Sequence, residues 1–357
     1  MVLSTPAPIA LWVVPVADFG GVARHVSDVV RHGIPGWRVV TMCPPGPLAD
    51  RLRELGGAVV QVDVGPASGV VSSLRTLRRM IDRLRPTVVH SHLAYADLVC
   101  AVGAPRGTRL VSTEHGISGD PSVYHAGVVQ QRGRAAAHAT RLRRLSTLVA
   151  VSESTAQVVR ERWSPPASLP IHVVPNGVDP VADPPPADPG LRIGSLSRLA
   201  PEKNLQLLLD AFDVLSQTRP EATLAIAGGG PEEAALRRHA DALGLGSTVS
   251  FEGHVDAEDF LRRIDVVAQL SAWENHSYTL LDAVNYGRGV VATSVGGNPE
   301  IVGQASLVGA GSSPGVIAAR LESQGLDPAA RPVRGPGWQT VGGMCDDLAT
   351  IYAQVAP

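Results

Sequence analysis

Twice along this chain a short apolar run gives way to a turn and then to a helical pattern. IALWVV at residues 9–14 leads through PVADFGG into GVARHVSDVVRHG, and RIGSLSRL at residues 192–199 leads through APEKN into LQLLLDAFDVLSQ. Each opening reads as the first strand, turn and helix of a doubly wound α/β domain. Further runs keep the pattern: RVVTMC, AVVQVDV, TVVHSH, RLVSTEH and LVAVS in the first half, then TLAIAG, TVSFEG, DVVAQLS and GVVATS in the second. Helical stretches such as SSLRTLRRMIDRLR and EEAALRRHADALG fall between them. The runs are continuous rather than alternating, as in parallel strands covered on both faces. At 357 residues the chain has room for two cores, since one core stops growing near roughly 250–300 residues. The expected fold is α/β, with two Rossmann-like doubly wound parallel-sheet domains and ligands at the carboxyl ends of the strands, in the cleft between the halves.

PNGVDPVADPPPADPG has no periodicity and reads as the interdomain linker, while GWQTVGGMCDDLATIYAQV reads as a helix too short to be a domain. A net charge of −2 gives no basic field for nucleic acid. No run approaches eighteen apolar residues, so no transmembrane helix is expected. The N-terminal segment lacks a basic flank and a small-residue cleavage site, and a cytoplasmic protein is expected. Cys43, Cys100 and Cys345 are too scattered for a disulfide framework or a metal knuckle. Of 31 basic residues only Lys203 is lysine. Where arginine is the default cation, a single compact ammonium raises the question of a specific task.

That lysine lies in SRLAPEKN, five residues beyond Arg198, at a strand-to-helix turn. A forked guanidinium and a point-charge ammonium beside helix-terminal amides suit a diphosphate, against the plainer reading of two solvated charges. Gly229 and Gly230 in AIAGGGP follow a strand and precede a helix, where glycine lets a ligand approach the backbone, although tight turns also select Gly and Pro. Gly253, with His254 and Val255, ends another strand and is expected to line a base pocket. In SAWENHSYTLLD, Ser277 suits a helix cap, leaving the amides of Tyr278, Thr279 and Leu280 for an anion. Glu274 stands just before that helix start, and Asp282 about one turn in is placed to accept from vicinal hydroxyls, as a ribose offers. Taken singly, Glu274 and Asp282 also read as solvated charges.

Residues 192–302 resemble the carboxyl-terminal half of family 4 glycosyltransferases of the GT-B fold, through SLSRLAPEKN, AIAGGGPE, FEGHV, ENHSYTLLD and GVVATSVGGNPEIV. The resemblance implies that Arg198 and Lys203 bind donor phosphates, Glu274 the donor sugar and Asp282 the ribose. Asp282 stands where the family usually has the longer Glu, and Asn275, His276 and Ser277 stand where it commonly has Gly-Phe-Gly. In the first half, Gly20 and Gly21 in DFGGVARHV resemble the glycine turn that approaches the diphosphate. VVHSHLAYADL, STEHGIS with His115, VAVSESTAQVV and VVPNGVD also match. The implied organisation is an acceptor-side domain at 1–188, a nucleotide-sugar domain at 189–336, and a closing helix at 337–357 that crosses back onto the first domain.

His90 and His92 alternate on one strand and share a face, but no carboxylate at ligand spacing accompanies them and no Asp-x-Asp occurs, so no metal is expected. His115 is the leading polar candidate to face the reacting sugar; Asp18 and Glu114 are lesser ones. The basic stretches with Arg75, Arg78, Arg79, Arg83 and Arg85, and with Arg141, Arg143 and Arg144, are read as solvated helix faces in preference to peripheral contact with an anionic membrane. The acceptor pocket is expected among residues 15–25, 90–97 and 115–135. The expected enzyme is a retaining glycosyltransferase needing no cofactor. It moves a hexose-type sugar from a nucleoside-diphosphate donor, UDP first and GDP second, to a hydroxyl of a small-molecule or glycolipid acceptor in bacterial metabolite or envelope synthesis. The alternatives are a nucleotide-sugar epimerase or phosphorylase on the same fold, or a non-catalytic nucleotide-sugar-binding subunit.

Overall fold

The computed structural model describes residues 6–116 and 137–356. The chain forms two compact units, Met1–Asp179 with Gln339–Pro357, and Pro180–Trp338. The first contains β1 (Ile9–Val13), α1 (Gly21–His32), β2 (Arg38–Cys43), α2 (Pro47–Glu54), β3 (Ala58–Gln61), α3 (Val70–Leu84), β4 (Val88–His92), α4 (Ala94–Gly103), β5 (Arg109–Glu114), β6 (Thr147–Ala150), α5 (Glu153–Trp163) and β7 (Ile171–Val173). Its strands form one parallel sheet in the order β3-β2-β1-β4-β5-β6-β7. The central strand shows why the apolar runs are unbroken. Leu11 and Val13 enter the core on one face, Ala10 and Trp12 the core on the other.

The second unit contains β8 (Arg192–Leu196), α6 (Leu205–Thr218), β9 (Thr223–Ala227), α7 (Glu233–Ala242), β10 (Val249–Gly253), α8 (Ala257–Arg263), β11 (Val266–Gln269), α9 (Tyr278–Asn285), β12 (Gly289–Thr293), α10 (Asn298–Ile301), β13 (Leu307–Val308) and α11 (Pro314–Leu326). Its parallel order is β10-β9-β8-β11-β12-β13. In both sheets the order reverses beside the first strand, between β1 and β4 and between β8 and β11. Connections leave the two neighbours for opposite faces there, which opens a crevice at the carboxyl ends.

The last helix, α12 (Val341–Val355), belongs to the first unit. Val341, Met344, Cys345, Leu348, Ile351 and Tyr352 make a stripe at helical spacing that joins Ala23, Val26 and Val29 of α1 in one core. Thr340 caps it by accepting from Gly343 N at 3.0 Å, and Val341 N donates to Asp179 Oδ1 at 3.0 Å.

The Pro-rich stretch is not a free linker. Arg288, 1% exposed, donates to the carbonyls of Pro185 and Pro186 at 3.0 Å, and Arg331 donates to that of Asp188 at 2.9 Å. Two buried guanidiniums thus satisfy a backbone without secondary structure, and the unit boundary falls at residues 179/180 instead of 188. The edge strands β7 and β13 had no separate signal, being three and two residues long. No helix among the described residues is long and apolar enough to cross a membrane.

Candidate active site

In the second unit the turn after β8 and the loop after β11 are tied together. Ala272 N donates to the Glu202 carbonyl at 2.8 Å, and Asn204 Nδ2 to the Leu270 carbonyl at 2.9 Å. Across this junction Lys203 Nζ donates to Glu274 Oε1 at 2.6 Å, and Gln269 Nε2 donates to the same oxygen at 3.0 Å. The side chains of Lys203 and Glu274 are 20% and 14% exposed, so the pair is largely withdrawn from water yet reachable. The residues expected for the diphosphate and for the sugar are therefore mutual counterions. Arg198 is 68% exposed and pairs with Glu202, an acid the sequence reading passed over.

Two glycines set how closely these loops approach. Gly230 has no room for a Cβ, which would meet the Leu199 carbonyl, and Gly296, at φ +51°, would drive one into the Glu274 carbonyl. A Cβ on Gly229 would sit 2.9 Å from the His254 ring. The glycines of AIAGGGP thus serve turn-to-turn packing first, because Leu199 N also donates to the Gly229 carbonyl at 3.0 Å and Glu232 N to that of Leu199 at 3.0 Å. Gly253 takes a left-handed φ of 67° at the end of β10, its carbonyl accepting from Gly228 N at 2.6 Å. His254 beyond it is exposed, and Val255 packs against the core.

Helix α9 begins beside β8, with Thr279 Oγ1 donating to the Leu196 carbonyl at 3.4 Å. Ser277 is its cap, as expected, and accepts from Leu280 N at 3.3 Å. That corrects one expectation: the Leu280 amide, expected for an anion, is spent on the cap. Asp282 is 8% exposed, so the solvated reading does not hold. It shares a helix face with Tyr278 and Asn285, also buried. His276 is 9% exposed, and burial lowers its imidazole to about 4. The residue standing where the family has an aromatic is accordingly a neutral, buried ring.

At the strand ends of the first unit, Asp18, Gly20 and Gly21 are exposed at the start of α1, with Gly20 in extended backbone at φ 178°. His90 and His92 stack at 4.5 Å but have separate partners. Trp12 Nε1 donates to Tyr352 Oη at 2.8 Å, and that hydroxyl lies 2.5 Å from His90 Nδ1, while His90 Nε2 lies 2.7 Å from Thr113 Oγ1. Both His90 nitrogens are committed, so the pair considered for a metal is broken. His92 Nδ1 instead lies 2.9 Å from His115 Nε2. Burial lowers His25 to about 4 and holds His90, His92 and His115 well below the usual imidazole range.

Glu114 is withdrawn into the interior. It is 2% exposed and binds Arg141 Nη2 at 2.7 Å, while the other arm of Arg141 pairs with Asp97, both groups fully buried. Arg144 is used on the carbonyls of Ala101, Ala104 and Pro105. Arg141 and Arg144 of that stretch are thus held by internal partners, while Arg143 between them is exposed as expected. Of the expected acceptor segment 115–135, residues beyond 116 lie outside the described residues.

Comparison with known proteins agrees with this anatomy. The family model described as Glycosyltransferase Family 4 matches residues 19–181, and that described as Glycosyl transferases group 1 matches residues 183–331. Glycogen synthase of Mycobacterium tuberculosis is 28% identical over 96% of this chain and 92% of its own length. A 2-deoxystreptamine N-acetyl-D-glucosaminyltransferase of Streptomyces fradiae is 28% identical over 79% of this chain and 73% of its own. The crystal structure of Anabaena HepE in complex with UDP-glucose superposes with a TM-score of 0.77 at 20% identity, covering 98% of each chain. Two parallel-sheet units with matching halves in matching order make this chain a member of the family 4 glycosyltransferases of the GT-B fold.

Proposed function

We propose that this glycosyltransferase moves a hexose-type sugar from a UDP-sugar to a hydroxyl acceptor with retention at the anomeric carbon, GDP-sugars being the second choice of donor. The observation that carries the reading is the Lys203–Glu274 pair, steadied by Gln269 at the switch point of the second sheet. UDP is favoured because HepE was solved with UDP-glucose and the pneumococcal O-GlcNAc transferase GtfA, at a TM-score of 0.61, with UDP and GlcNAc. The acceptor is a small molecule or glycolipid of bacterial metabolite or envelope synthesis, in keeping with relatives such as the 2-deoxystreptamine N-acetyl-D-glucosaminyltransferase and a lipopolysaccharide core mannosyltransferase of Rhizobium meliloti, 28% identical over 45% of this chain.

Lys203 retains N–H groups beyond the one given to Glu274, and with Arg198 and the start of α9 it holds the diphosphate. Glu274 accepts from hydroxyls of the sugar, Asp282 from those of the ribose, and His115 steadies the sugar. As the anomeric C–O bond breaks, both electrons leave with the diphosphate, whose growing charge the two cations stabilise. The acceptor oxygen bonds to the anomeric carbon on the same face and its proton passes to a departing phosphate oxygen. Neither a metal nor a cofactor is needed for this balance. Calorimetry across nucleotide sugars, followed by a donor-consumption assay, tests the reading. Glu274→Ala is expected to bind nucleotide and lose transfer; equal activity removes Glu274 from the mechanism, and donor binding without turnover for any acceptor favours a binding subunit.

A further inference from the structure

The strand ends of the first unit hold a histidine cluster of which the proposed transfer uses only His115. His25 on α1, His92 at the end of β4 and His115 just after β5 each offer one ring nitrogen, and these nitrogens lie within 4.8 Å of one another. His25 and His92 are 2% and 0% exposed, yet Nε2 of each has no hydrogen-bond partner among the described residues. Burying a polar nitrogen without a partner is costly, and a core needing only apolar rings would be served better by phenylalanine. We infer that His25, His92 and His115 form a binding site for a transition-metal ion of the zinc, nickel or copper class, and that the bound ion holds transfer off.

The donor set decides the class. Three imidazoles with no carboxylate suit borderline ions and not magnesium or calcium, which require oxygen ligands. Three nitrogens around zinc stand roughly 3.3 Å apart, from Zn–N bonds of about 2.0–2.1 Å, so the cluster reaches coordination by modest ring rotation. His92 Nδ1 and His115 Nε2 are already 2.9 Å apart. Whichever nitrogen of His92 binds the ion, the proton of the neutral ring rests on the other one. An outer contact is in place as well, His25 Nδ1 lying 3.3 Å from Asn176 Oδ1, and Trp12 packs on the His92 ring at 4.4 Å. Such outer contacts orient ligating imidazoles. Among the described residues Glu114, the chain neighbour of His115, is withheld by Arg141.

The inhibitory half rests on the proposed function, in which His115 steadies the sugar. An ion there immobilises that ring and sets a fixed positive charge against the positive charge developing at the anomeric carbon. The test starts from metal-stripped full-length protein. Titration with Co²⁺ is expected to give visible ligand-field bands saturating at one ion per chain, bleached by one equivalent of Zn²⁺. His25→Gln and His115→Gln are each expected to weaken binding at least tenfold. His115, being partly exposed, keeps the test open should His25→Gln fail to fold. Zn²⁺ is expected to lower transfer at least tenfold, reversibly with EDTA. No stoichiometric bands, or unchanged affinity in both variants, overturns the site; binding with undiminished transfer overturns its inhibitory role. If no donor is consumed with or without metal, the transferase reading fails while the Co²⁺ spectrum still decides the site.

Discussion

The two units share a strand order, 3-2-1-4 and onward, and differ in what they place at the ends of those strands. In the first, the described ends carry mostly buried groups paired with one another, Asp97, Arg141 and Glu114 around β4 and β5 and the Trp12–Tyr352–His90–Thr113 chain that anchors α12, beside the cluster of His25, His92 and His115. In the second, the ends carry short turns whose charges stay within reach of solvent, with Lys203 on Glu274 and Arg198 on Glu202. Topology chooses where loops converge. Side-chain desolvation decides whether the convergence is a brace or a site.

The comparison breaks first at Arg141. Arg141→Met leaves Asp97 and Glu114 buried without a cation, and a loss of roughly 3–5 kcal/mol in the first unit is expected from urea unfolding. A loss below about 1 kcal/mol, the value of an exposed pair, would mean that the brace is no brace. Next comes Lys203→Ala, with a loss of transfer of about 10²–10³-fold, as for removal of one charge-stabilising donor, and little change in the unfolding midpoint. A large midpoint shift with mild kinetic loss would turn the Lys203–Glu274 pair into a structural one.

His276 sharpens the contrast within the second unit. Its folded-state value of about 4 lies below the unfolded value of 6.5, so the unfolded chain binds more protons between them. The associated stability is complete above pH 6.5 and is lost as pH falls toward 4, by about 3 kcal/mol at one pH unit per 1.36 kcal/mol. Denaturant melts of wild type and His276→Phe across that window should diverge only at the acid end. The smallest effect is expected of Asp282→Glu, which restores the family's usual length. A change in nucleotide affinity of no more than about fivefold, or 1 kcal/mol, is anticipated by calorimetry, since an acceptor is present either way.

Much of the frame was legible because parallel strands covered on both faces leave unbroken apolar runs. RVVTMC at residues 38–43 coincides with β2, and LQLLLDAFDVLSQ with most of α6. Lys203 and Glu274 were visible as candidates, one by its solitude and the other by its place before a capped helix. Their pairing was not, being 71 residues apart in sequence. Edge strands were missed because two or three residues carry no period. The roles of Arg288 and Arg331 on the Pro-rich stretch were missed because an arginine's carbonyl partners leave no local pattern.

By itself, then, the amino-acid order determined two doubly wound sheets, the turn after β8 with the capped start of α9, and the family. Periodicity and local capping act over a few residues, and those are written along the chain. Only the tertiary structure decided that Glu114 is a buried counterion, that Leu280 spends its amide on a cap, that His90 leaves its neighbour, and that His25 joins His92 and His115. Each of those outcomes depends on which groups lose water together, and desolvation is a property of neighbours in space.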